Sequence, residues 1–399
     1  MTEKLLSEFL NKQTFDIRKT GNGRWIDQKC TPDEVSFVAE CVVAFLRENG
    51  DKSFHSPEIW KSDYAVKKVQ AFFGKPDPLD DSTLDEYNKF FRQPLKMLSA
   101  AGILRERKDG SALLFKVVAP DVLNYLARTD WNAYEFLHLY IEKTLRDSGI
   151  WDAFETFFEL QTNDSFQEMK DNFKEFCFHH TPIKNVNEAR RIFAKVLNPL
   201  ALYYKKRGTV GGRCSPVTMT FDALRYNREN WRDAGKEKNV SRRDRAKAGK
   251  NHRDSYFPGK AMAEVREFNR VFNGGRSEVL GPQSSGVATQ MHHIFPRNEF
   301  PDISAFVENI IPLTASQHYS LAHPGNKTSV IDKDFQHSCL LTRNDTIKQN
   351  VLNHYGPPGF YSFSKFAFVL DTGFATDYFE NLPENDFTAI RDGIDAKME

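Results

Sequence analysis

Between residues 31 and 130 the spacing of apolar positions defines a run of elements. "TPDEVSFVAECVVAFLREN" opens with a Thr cap, Pro at the first helical position and acids in the first turn, and its apolar residues then recur at helical intervals. "SPEIWKSDYAVKKVQAFFG" starts the same way at Ser56-Pro57 and stops at Gly74. "STLDEYNKFFRQPLKMLSAAGIL" predicts a third helix, interrupted at Pro94 and ending near Gly102. "ILRERKDGSALLFKVVAP" then reads as strand, turn, strand, with Asp109-Gly110 as the hairpin signal.

Residues 131–204 return to Phe and Leu at three and four, which predicts a connecting helical region. After about residue 205 helical periodicity fades, and "GTVGGRCSPV" reads as a loop. Further on, "GVATQMHHIFP" can form a strand, "RNEFPDIS" turns the chain, and "AFVENIIPLT" can form a second strand. "TASQHYSLAH" predicts a helix because Thr314 and Gln317 stand at capping-box spacing; Pro324-Gly325 would end it. The tail, "YFENLPENDFTAIRDGIDAKME", is acidic with a helical pattern. The expected class is α+β, divided into 1–130, a helical connection at 131–204, and 205–399 with a strand–strand–helix core at about 287–325.

Composition narrows the setting. At 40% hydrophobic residues with 34 Phe, the chain has ample material for buried cores and reads as globular. Its longest apolar runs fall far short of a membrane span, and its first residues lack an apolar signal core, so a cytoplasmic protein is expected. The five cysteines are scattered and never form a CxxC pair, which argues against a disulfide framework or a cysteine zinc knuckle. "CFHH" (Cys177, His179, His180) lacks a second ligand pair at metal spacing. The net charge of +1 conceals an asymmetry: Lys205 to Arg276 holds nineteen Lys/Arg against eight Asp/Glu, with aromatics interleaved, as a phosphate-facing surface would.

Three helices followed by a hairpin resemble a winged helix-turn-helix domain. That resemblance implies that the third helix reads the DNA major groove, here with Lys89, Arg92, Gln93 and Lys96. A wing carrying Arg105, Arg107 and Lys108 would touch the backbone. Lys89, Arg92 and Lys96 share one helical face.

The strand–loop–strand–helix around "MHHIFP" carries His292 and His293, then Asn309, then His318. It resembles the HNH, or ββα-metal, nuclease motif. By that resemblance His292 and His318 are metal ligands, His293 is the general base that activates water, and Asn309 orients the connecting loop. The chemistry is coherent on its own terms. Phosphodiester hydrolysis needs a proton acceptor near neutral pH and a Lewis acid on the phosphate. Adjacent residues on a strand face opposite sides, so the two histidines can serve one site only if the strand bends or ends there.

Two departures from the motif matter. The paired CxxC zinc ligands of many HNH proteins are absent. In addition, the position four residues after His318, where one branch carries a third histidine, holds Ala322; His323 lies one step further round an α-helix, so a third histidine ligand is not expected. Mg²⁺ or Mn²⁺ is the expected metal, with Zn²⁺ or Ni²⁺ acceptable to imidazole. Arg270, Arg276 and Arg297 near the motif, and Arg242, Arg243 and Arg245 in the basic stretch, are candidate DNA contacts. The expected function is that of a sequence-specific, type II restriction-like endonuclease acting on double-stranded DNA. A palindromic target would call for a homodimer, and a cognate methyltransferase would accompany it. The alternatives are a restriction enzyme dependent on DNA modification, and a winged-helix regulator with an inactive nuclease.

Overall fold

A computed structural model describes residues 3–73, 75, 77–226, 242–281, 283–323 and 331–399; the side chains of 3, 4, 70, 71 and 242–255 lie outside that description. The fold is mixed α+β, mostly helical, with three small sheets among the described residues. It divides into two compact units that meet in sequence at Arg253/Asp254.

The first unit begins with α1 (Glu3–Asn11) and α2 (Ile17–Thr20). In α3 (Pro32–Asn49) the predicted start is present: the Thr31 hydroxyl accepts from the Glu34 amide and Pro32 follows. A strand not foreseen, β1 (Phe54–His55), precedes α4 (Ser56–Trp60) and α5 (Asp63–Phe73). α6 (Leu84–Ala100) runs unbroken through Pro94, contrary to the expected interruption. Pro94 is buried on the face that packs Phe90, Phe91 and Leu95, and that packing outweighs the loss of one amide donor.

β2 (Leu104–Asp109) and β3 (Ala112–Val117) form the predicted hairpin. Pairing from Leu104↔Val117 to Asp109↔Ala112 leaves Gly110-Ser111 as the loop, and Gly110 takes the positive φ of +59° that such a turn requires. β1 pairs antiparallel with β3, giving the order β1-β3-β2.

The helical region comprises α7 (Pro120–Arg128), α8 (Asp130–Asp147), α9 (Trp151–Leu160), α10 (Asn163–His180) and α11 (Val186–Tyr203). α3 packs directly on α7 and α8, so residues 1–130 and 131–204 share one core instead of dividing at 130. The expected boundary at 204 is also displaced. "GTVGGRCSPV" is not a loop but most of a hairpin, β4 (Arg207–Val210) and β5 (Arg213–Thr218), turned by Gly211 and Gly212, both at positive φ. Asn198 of α11 exchanges hydrogen bonds with Thr209 (2.8 and 3.1 Å), which fastens this hairpin to the helices. Arg225 pairs with the buried Asp130 at 3.0 Å, and Tyr226 donates its amide to Asp33, so the chain stays with the first unit to the end of this described stretch.

The second unit starts within α12 (Arg242–Phe272), a helix missing from the reading of 205–290. Next come β6 (Gln290–His293), β7 (Ile310–Leu313) and the short α13 (Ala315–Gln317), which continues as a π-helical turn at His318–Ala322. α14 (Lys333–Asn353), α15 (Phe363–Phe374) and α16 (Phe387–Met398) complete it. Ile294, Ile310, Ile311, Leu340, Ile347, Phe366 and Ile390 form its apolar interior. Arg343 is fully buried there, 3.2 Å from Glu278 and 2.6 Å from the Tyr361 hydroxyl, and donates to the Ile310 carbonyl. It fixes the start of β7 to α14. None of the five cysteines forms a disulfide, and no described helix is long and apolar enough to cross a membrane.

Candidate metal centre

β6 and β7 pair antiparallel, with His292 opposite Ile311 and His293 opposite Ile310. The strand ends at His293. The loop back to β7 is closed by one side chain. Asn309 is fully buried; its carbonyl accepts from the Phe295 amide (2.9 Å), and its NH₂ donates to the carbonyls of Phe295 (3.0 Å) and Ile303 (3.3 Å).

After β7 the predicted capping box is present. The Thr314 hydroxyl accepts from the Gln317 amide (3.1 Å), and the Gln317 side chain accepts from the Thr314 amide (3.2 Å). The turn that follows is not α-helical. The His323 amide donates to the His318 carbonyl, five residues back, at 3.2 Å. On an α-helix a residue five positions on lies about 140° round the axis. A turn closed every five residues brings it back to the same side.

His323 therefore joins His292 and His318, and the expectation that it stands aside is corrected. Ring centroids are 5.3 Å apart for His292–His318, 5.1 Å for His292–His323 and 4.9 Å for His318–His323. One ligand nitrogen from each lies within 4.8 Å of the others. Modest side-chain rotation brings such nitrogens onto one ion with bonds of about 2.1 Å. This is the one such cluster among the described residues; Cys177, His179 and His180 do not form another. His318 Nδ1 is buried without a hydrogen-bond partner, as a nitrogen reserved for a cation would be.

Electrostatics favour neutral, ligand-ready imidazoles. Burial pushes the His292 pKa down to about 3, and His318, His323 and His293 add to the shift. Burial lowers His318 as well, assisted by His323. His293 stands on the other side of the strand end. Its Nε2–H donates to the Ser304 carbonyl at 2.8 Å, which leaves Nδ1 as the basic nitrogen. Burial lowers its pKa, the Ser304 carbonyl works against that, and Arg297 lowers it further.

The candidate DNA contacts differ in their surroundings. Lys89 and Arg92 are exposed on α6, and Arg105, Arg107 and Lys108 are exposed on β2. Lys96 is held by Glu106 at 3.1 Å, and Gln93 turns inward to accept from the Lys29 amide at 2.9 Å. Arg270 pairs with Glu267 one turn back at 2.6 Å. Arg276 is exposed, and Arg297 is partly covered. The side chains of Arg242, Arg243 and Arg245 lie outside the described residues. No protein-family model matches the chain, and no curated protein or solved structure matches it.

Proposed function

We propose that the chain is a metal-dependent endonuclease of the HNH type, cutting double-stranded DNA at specific sequences selected by a winged-helix reader. The observation that carries this is the convergence of His292, His318 and His323, with His293 held at the adjoining strand end by the Ser304 carbonyl. The strand order β1-β3-β2, with α6 before an exposed basic hairpin, supports the reader. The cleavage site touches only backbone, so specificity requires such a second element.

Three imidazoles suit Zn²⁺, Ni²⁺ or another transition ion better than Mg²⁺, which prefers oxygen ligands, so the sequence-based order of metals is reversed. When bound, the ion would supply Lewis-acid stabilisation of charge on the phosphate. The chain's residues do the rest. His293 Nδ1 takes the proton of the attacking water. The Ser304 carbonyl fixes the tautomer that leaves Nδ1 free, and Asn309 fixes the loop that carries Ser304. A twofold dimer on a palindromic target, and a methyltransferase protecting that target, follow from this reading.

The test incubates the protein with unmethylated and methylated phage DNA and Zn²⁺, Ni²⁺, Mn²⁺ or Mg²⁺. Discrete fragments, lost in His292→Ala, His318→Ala and His323→Ala together with bound metal, are expected. No cleavage with any ion would refute the reading. Cleavage confined to methylated DNA would select the modification-dependent alternative.

A further inference from the structure

We infer that the groove between α10 and α11 is a binding site for a small amphipathic anion, an apolar body carrying one carboxylate or phosphate, with Lys170 of one helix and Arg190 of the other as its anion-binding groups. The site lies within the first unit and is independent of the nuclease reading. A cavity of about 300 Å³ opens there, near the lower end of the range of small-molecule sites. Two helical rows line it: Lys170, Lys174 and Phe178 at four-residue spacing on α10, and Val186, Ala189 and Phe193 at three and four on α11. Phe173 also lines it; it is buried, as is Phe193, and the two rings stand 5.5 Å apart. Ala189 leaves the space, because its small side chain stands between Val186 and Phe193 on that row. Val186 keeps apolar surface at the opening, being 41% exposed.

The charges around the groove are unevenly matched. Lys174 is met by Asp171 at 3.1 Å and by Glu175 at 3.2 Å, and Asp171 also accepts from the Gln167 side chain at 2.8 Å. These carboxylates are therefore engaged along α10 itself. Lys170 donates instead to the Gly212 carbonyl at 2.8 Å, an uncharged partner that positions the ammonium and leaves its other protons available. Among the described residues no carboxylate pairs with Lys170 or Arg190. Burial lowers the Lys170 pKa, the Arg190 charge lowers it further, and Asp171 opposes this less strongly. Two cations held in one groove repel each other; an anion entering between them relieves that repulsion and accepts hydrogen bonds from both. The planar fork of a guanidinium suits a carboxylate or a phosphate. A neutral apolar ligand would leave the two charges facing each other, and a bare inorganic anion would leave the Phe-lined wall uncovered.

The experiment titrates the full chain with 3-phenylpropionate and with phenyl phosphate, followed by saturation-transfer NMR. 3-Phenylpropanol and inorganic phosphate, each lacking half of the match, are tested as competitors. Both organic anions are expected to bind with a Kd of about a millimolar or below, and neither competitor to displace them at equal concentration. Arg190→Gln and Lys170→Gln should each weaken binding roughly tenfold. Ala189→Leu should abolish it by filling the space. Arg191→Gln, which removes a neighbouring charge that reaches Gln28 instead, should leave it unchanged. The tighter of the two anions identifies the headgroup, and either order supports the site. The site is refuted if wild type binds neither anion at roughly ten times that concentration, if 3-phenylpropanol competes as well as the anions do, or if Arg190→Gln binds like wild type. Equal weakening by Arg191→Gln would reveal attraction to net charge alone and also refute it. Should Ala189→Leu fail to fold, as circular dichroism would show, the variants at Arg190 and Arg191, both exposed, still decide.

Discussion

Replacing Asn309 tests how the connecting loop is held. Asn309→Ala removes three hydrogen bonds made by a fully buried side chain. The Ile303 carbonyl keeps its contact with the Phe306 amide, whereas the Phe295 amide and carbonyl are stranded. Each stranded buried group costs about 1–3 kcal/mol, so a loss of about 2–6 kcal/mol is expected before any cavity effect. For a unit of this size that corresponds to a melting temperature lower by roughly 5–20 °C. Asn309→Asp is the sharper probe because it is nearly isosteric. It keeps an acceptor for the Phe295 amide but turns a carboxylate oxygen toward the carbonyls of Phe295 and Ile303. It should therefore be no better than alanine at pH 7, and recover partly in acid as the carboxyl gains a proton it can donate. Calorimetry over a pH series reads both effects. Releasing the Ile303 carbonyl, one residue before Ser304, should also lower cleavage by loosening the Ser304 contact with His293. An Asn309→Asp protein as stable as wild type at pH 7 would refute the assignment of the amide as an essential donor.

Other expectations are shorter. His293→Ala should keep its metal and lose about two to four orders of magnitude in cleavage rate; in wild type, burial holds His293 neutral, so the acid limb of a single-turnover pH profile should lie below about 6.5, and a limb above that would contradict the assignment. His138 is buried in the first unit, stacked 4.2 Å from Tyr203, with Nδ1 unpartnered, and burial lowers its pKa to about 3. The folded state then refuses a proton that the unfolded state accepts below about 6.5, so stability falls as pH drops; His138→Phe should be more stable than wild type by about 2–3 kcal/mol at pH 4.5, and equal acid sensitivity in urea unfolding would count against this. Neutralising Arg105, Arg107 and Lys108 together should reduce the salt dependence of DNA binding by a slope of about 2.7 in log–log anisotropy titrations, and an unchanged slope would place the hairpin elsewhere. Deleting Ser320 should preserve metal binding, whereas inserting an alanine there should abolish it, as judged by bound-metal analysis.

Local signals were legible in the sequence, and long-range packing was not. The Thr31, Thr314 and Gln317 caps and the β2–β3 turn are decided within a few residues, so the text of the chain showed them. β1 is two residues long and exists only because β3 offers it an edge, so no local pattern announced it. Gly211-Gly212 did carry a readable hairpin signal that the basic, apolar-poor surroundings obscured. α12 went unread because Arg, Lys, Asn and Gly leave its first half without an apolar stripe. The unit boundary was misplaced because contacts such as Asn198 to Thr209 and Arg225 to Asp130 tie residues across the apparent change in texture.

The third histidine shows where a spacing rule stops working. Judged by α-helical geometry, a residue five after His318 points away, and Ala322 holds the position that would face the site. In the structure Ala322 is buried, and the extra residue is absorbed by the π turn. Such a turn sacrifices regular helical hydrogen bonding and persists where something else depends on it. Here His323 depends on it, and so does the number of imidazoles available to an ion. The two changes at Ser320 follow from this. Deletion restores four-residue spacing, which an ordinary α turn can satisfy, while insertion demands a six-residue turn that no regular helix provides. The helix beginning at Thr314 thus does two things: its capping residues hold the backbone at Val279 and Gln283, and its irregular exit brings three imidazoles together.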